Sequence, residues 1–143
     1  MNIPITILFF YLVYCSYTDI KKRIVYIYPT ISICVIIFLT SLFNIINNSG
    51  NIIDYFLSFI PGIILVFLSY ATKENIGYGD SILLLLCCIA TNHKDGMFII
   101  ILSFIYSASY SIIMLITGKS GKDTIPFVPF IFLGFISNLL IKY

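Results

Sequence analysis

Apolar residues fall into six blocks, separated by short polar interruptions. The blocks run Ile3–Tyr17, Tyr28–Ile46, Ile52–Tyr70, Ser81–Thr91, Met97–Thr117 and Ile125–Ile141. A bilayer core of about 30 Å takes about 20 helical residues, with about 17–25 tolerated. The second, third, fifth and sixth blocks meet that length. The first meets it once Met1, Asn2 and Thr18 are added. The fourth falls short. It suits a re-entrant piece, or a short helix that begins at Gly79 and Asp80 inside the protein, below the lipid surface. The interruptions NIINNSGNIID, TNHKDG and TGKSGKDT read as polar turns. This pattern predicts an all-α, polytopic membrane protein with about six transmembrane helices, in a single domain over residues 1–143.

Composition agrees. The hydrophobic fraction is 60% and the charged fraction 10%, with a mean hydropathy of +1.07. A water-soluble domain of this size cannot hide so much apolar surface, so lipid is the expected partner for most of it. The net charge of +2 is small and scattered, and argues against a nucleic-acid partner. Cys15, Cys34, Cys87 and Cys88 all lie within apolar runs and form no CxxC pair. They read as small buried hydrophobes rather than zinc ligands. The first block has no basic segment before it, and its positive charges follow it. It therefore reads as a retained span rather than a signal peptide.

Charge also predicts orientation. If the loop after the first span is cytoplasmic, that side collects Lys21, Lys22, Arg23, Lys73, Lys119 and Lys122, leaving Lys94 and Lys142 outside. Asp19 closes the first span and Asp80 opens the fourth. With two spans between them, both fall on the cytoplasmic face of the membrane.

These two carboxylates differ from the other acids. Asp54, Asp95 and Asp123 sit in or beside polar turns, and Glu74 is next to Lys73. An ionisable group at membrane depth is costly and suggests function. Each also has a plainer reading: Asp80 as a helix N-cap, Asp19 as an interfacial residue paired with Lys22 or Arg23. The stretch GYGD adds weight to the functional reading. Gly77 and Gly79 flank Tyr78 immediately before Asp80, and glycine lets another chain come close. Two facing carboxylates share one proton, because like charges at short range cannot both ionise. The ionised member can take a proton from water while the protonated one polarises a carbonyl, which hydrolyses an amide by general acid–base catalysis. No metal or other cofactor is called for. The sole histidine, His93, belongs to a predicted outer loop, which argues against Ser-His or Cys-His catalysis.

Three motifs then resemble the type IV prepilin peptidases. YTDIKKRIVYIYPT resembles their first aspartate motif, IGYGDSILLL their GxGD motif, and IPFVPFIFLGF the Pro-Phe-x-Pro-Phe start of their last span. The resemblance implies an intramembrane aspartic endopeptidase that removes the leader of prepilin or pseudopilin substrates at the cytoplasmic face of the cell membrane. It implies Asp19 and Asp80 as the catalytic pair, with Gly77 and Gly79 in the motif's backbone role. Ser81-Ile82 follows the second aspartate where the family often has Val-Lys, and Ile24-Val25-Tyr26 stands where Ile-Pro-Asn is usual. The paired CxxC motifs of larger members have no counterpart, so a peptidase-only form without the methyltransferase region is expected.

Pro126 and Pro129 read first as a break at the start of a span, and secondly as part of a substrate groove. Tyr78 either shapes the site or is an ordinary interfacial tyrosine. Lys21–Arg23 reads as a positive-inside anchor. The opposing reading is a non-catalytic membrane scaffold or small transporter subunit that uses the aspartates as a structural or ion site. The two readings differ in geometry, since only the peptidase needs both carboxylates together on one face.

Overall fold

The computed structural model describes residues 3–47, 52–72, 77–117 and 125–142. Among these the chain is helical without strands, in the order α1 (Ile3–Lys22), α2 (Ile27–Asn47), α3 (Ile52–Ala71), α4 (Tyr78–Ala90), α5 (His93–Ile116) and α6 (Val128–Lys142). Four of them, α1, α2, α3 and α5, are long and apolar enough to cross a membrane. Much of their surface is bare hydrocarbon, as at Ile53, Phe67 and Ile116. In water such a surface would be untenable; in lipid it is the ordinary outer face of a bundle. The protein is an all-α membrane protein of six helices.

Three boundaries depart from the sequence expectation. Helix α1 runs on to Lys22 instead of stopping near Tyr17. Lys21 and Lys22 in its last turn favour the negative end of the helix dipole. It stops at Arg23, whose φ of 54° is left-handed and whose N–H still donates to the Asp19 carbonyl at 2.9 Å. The turn TNHKDG shrinks to Thr91 and Asn92, because His93 already begins α5. Asp95 in that first turn suits the positive end of the dipole, and Gly96 lets α5 close on α4. A Cβ there would stand 2.9 Å from the Cys88 Cα. The last helix is shorter than the block that predicts it, 15 residues from Val128. A residue before proline is held extended, so Ile125, preceding Pro126, stays outside the helix. The turn NIINNSGNIID is mostly helix, its residues 44–47 in α2 and 52–54 in α3, while residues 48–51, most of TGKSGKDT, and Lys73, Glu74, Lys119, Lys122 and Asp123 lie outside the described residues.

Helix α4 is the centre of the bundle. Leu83, Leu84, Leu86 and Cys87 are fully buried, which matches an apolar run with no polar face. Helix α3 lies directly against it, since a Cβ on Gly62 would come within 2.7 Å of the Leu85 Cα. Helices α1 and α2 are tied by the buried Tyr11–Thr30 hydroxyl pair at 2.7 Å. The packing puts the end of α1 and the starts of α2, α4 and α6 at one end of the molecule.

Candidate active site

At that end a cavity of about 150 Å³ is lined by Asp19, Arg23, Val25, Ile27, Gly77, Gly79 and Asp80. The two carboxylates, 61 positions apart in the numbering of the chain, thus share one small space. The even number of crossings between them makes this possible: α1 runs into this end, α2 and α3 leave and return, and α4 starts from it.

Asp19 is only 7% exposed. It stands one turn before the end of α1, on the inward side with Leu8, Leu12 and Cys15. Its Oδ2 accepts a hydrogen bond from the Val128 N–H at 3.0 Å. Asp80 lies in the first turn of α4 and is half-buried. Residue Gly77 caps that helix without any side-chain hydrogen bond. The plain N-cap reading of Asp80 does not describe this geometry, because the residue sits inside the helix rather than before it.

The two motif glycines have separate steric reasons. A Cβ on Gly79 would stand 2.6 Å from the Val25 Cβ, so the α1–α2 connection presses against the GYGD backbone. A Cβ on Gly77 would stand 2.7 Å from Oδ2 of Asp80, so that carboxylate folds back over its own loop. Tyr78 opens α4 half-buried but is not among the residues that line the cavity. Pro126 and Pro129 also stand off the cavity wall. They reach the site through Val128, which lies between them.

Sequence reasoning missed Val25, Ile27 and Val128 as neighbours of the carboxylates, and read Arg23 only as an anchor. Val128 had one available signal: it sits between two prolines that cannot donate. Val25 and Ile27 had none, being ordinary apolar residues after a helix end.

A larger cavity, about 430 Å³, lies at the opposite end of the bundle, where Ser41, Asp54, His93 and Lys94 are among its lining residues. His93 is therefore remote from the two aspartates, at the far end of α4.

The type IV leader peptidase family matches residues 6–112. The match takes in Asp19, the GYGD stretch and most of α5, and stops short of Pro126 and Pro129. No curated protein matches the chain, and no solved structure does. The match covers well over half of a chain that is itself a bundle of apolar helices, so this membrane protein belongs to the type IV leader peptidase family.

Proposed function

We propose that the protein is an aspartic endopeptidase that removes the leader of prepilin or pseudopilin substrates at the cytoplasmic face of the cell membrane. Asp19 and Asp80 are its catalytic pair. The observation that carries this reading is the single small cavity that holds both carboxylates. Family membership gives the reaction class, leader-peptide hydrolysis.

The chemistry needs a water and two carboxyl groups that share one proton. The ionised group takes a proton from water as its oxygen attacks the scissile carbonyl carbon. The protonated group hydrogen-bonds to the carbonyl oxygen, where charge develops. When the tetrahedral intermediate collapses, the C–N bond breaks and a proton passes to the leaving nitrogen. The products are a carboxylate and an amine, and the pair returns to one shared proton. Gly77 and Gly79 hold the loop close enough for Asp80 to reach Asp19, while Tyr78, Pro126 and Pro129 border the path by which an extended substrate arrives. The substrate's own apolar helix packs laterally on the bundle within the membrane, leaving its unwound leader junction at the cavity mouth.

A scaffold reading rests on the hydrogen bond from Val128, which gives Asp19 a structural role of its own. Asparagine separates the two, because its side-chain oxygen still accepts that bond. The decisive assay co-expresses a pilin-like precursor with wild type, Asp19→Asn or Asp80→Asn, and follows leader loss by gel shift and N-terminal sequencing. Cleavage by wild type alone, with both variants accumulating in membranes, supports the peptidase. Equal cleavage by the variants rules out the pair.

A further inference from the structure

Helix α6 starts where its own sequence leaves few free donors. Proline has no N–H, so Pro126 and Pro129 contribute none. The Phe127 carbonyl receives the amides of Phe130 at 3.0 Å and Ile131 at 3.3 Å, which uses the next donors along. A phenylalanine at the helix start cannot cap with its side chain. Two amides remain, those of Phe127 and Val128, and that of Val128 reaches Asp19. The Val128 N–H donates to Oδ2 across 109 residues of chain. So the last helix is capped by a carboxylate of the first one. Among the described residues no comparable donor meets Asp80.

The Val128 N–H donates to a carboxylate oxygen, and a hydrogen bond of this kind favours the ionised form of the group that accepts it. A hydrogen bond to a charged acceptor is also stronger than one to a neutral acceptor. We propose that the Val128 N–H is a positioning donor that sets Asp19 as the carboxylate accepting the water's proton and leaves Asp80 as the member that carries one. This rests on the two-carboxylate reading above. The segment Pro126–Pro129 thereby acquires a defined role. Its prolines contribute no donors of their own, and the Val128 N–H between them is aimed at one oxygen. Val128 is a positioning residue only, since it reaches the substrate through Asp19.

The test removes the N–H and keeps the rest. Val128→Pro does so at a position where proline suits the first helical turn. The preceding Phe127 already lies outside the helix, as a residue before proline prefers. Val128→Ala retains the N–H and removes only side-chain volume. A third form replaces Val128 by its α-hydroxy analogue, which turns the amide into an ester without changing the side chain. Each is purified as the full chain and assayed on a pilin-like precursor that the wild type cuts. Loss of one hydrogen bond to a charged group predicts a kcat about 10- to 100-fold lower for the proline and ester forms. Their KM stays within about threefold of wild type, and Val128→Ala loses no more than about threefold in kcat by the same reasoning. The proposal is overturned if the ester form matches Val128→Ala in kcat, or if it changes KM and kcat together. Should Val128→Pro fail to accumulate, the ester form alone decides. Asp19→Asn distinguishes failure of the positioning role from failure of the pair. If it cuts like wild type, the paired-carboxylate reading fails; if it is dead while the ester form is active, only the role of Val128 fails.

Discussion

The two ends of the bundle make an instructive pair. The end with the larger cavity, about 430 Å³, is rich in polar groups, yet the bonds seen there are local ones. Asp95 pairs with Lys142, and the Ser58 hydroxyl donates to the Asp54 carbonyl at 3.0 Å, within its own helix. Ser41 there is buried, and among the described residues its hydroxyl meets no hydrogen-bond partner. The other end has a cavity of about 150 Å³, but its groups converge. A carboxylate from α1 and one from α4 meet there, two glycines give way to let this happen, and α6 supplies an amide. Convergence of unlike elements on one small space marks chemistry better than volume does.

Substitutions can break this contrast or sharpen it. The largest effect belongs to the carboxylates. Asp19→Asn and Asp80→Asn should each lower leader cleavage by about 10²–10⁴, the usual worth of a general acid or base, with melting temperatures near wild type in detergent. Next comes Gly79→Ala, whose Cβ would run into Val25. Overpacking of this kind costs about 1–3 kcal/mol, and here the displaced segment is a wall of the cavity that holds both carboxylates. Cleavage should fall more than it does in Gly62→Ala, which overpacks the α3–α4 contact to a similar loss of melting temperature. At the opposite end Ser41→Ala should be neutral or stabilising by about 1 kcal/mol, since it deletes an unpaired buried hydroxyl, and cleavage should not change. Smallest is Lys142→Ala. Its pair with Asp95 is partly exposed, so a loss of about 0.5 kcal/mol or less is expected in thermal unfolding. Impaired cleavage in either of the last two would mean that the ends are coupled and the contrast is false.

The six helices are readable in the sequence because their apolar blocks are long and cleanly interrupted. The meeting of Asp19 and Asp80 is readable through parity, since an even number of crossings returns the chain to the same side. Errors came where polar residues continue a helix. Lys21–Arg23 reads as an anchor after the first span, yet Lys21 and Lys22 continue the helix, with Asp19 turned inward. His93 to Gly96 looks like a turn, yet Gly96 serves a close helix contact. The glycines of GYGD announced a close approach but not what approaches. Val25 is invisible in this role, because nothing in an isolated valine says which backbone it will touch. The bond from Val128 to Asp19 spans 109 positions, and no local pattern encodes a pairing at that range.

Helix α4 has one more consequence. Its 13 residues extend about 20 Å at 1.5 Å per residue, well short of a bilayer's hydrocarbon thickness. Lipid alone cannot hold such a segment upright as the chain is made, so it must wait for its neighbours. Asp80 travels on that segment, so its placement depends on the packing of α4 against the longer spans. On the proposed reading, peptide-bond hydrolysis therefore depends on α4 being packed among the longer spans.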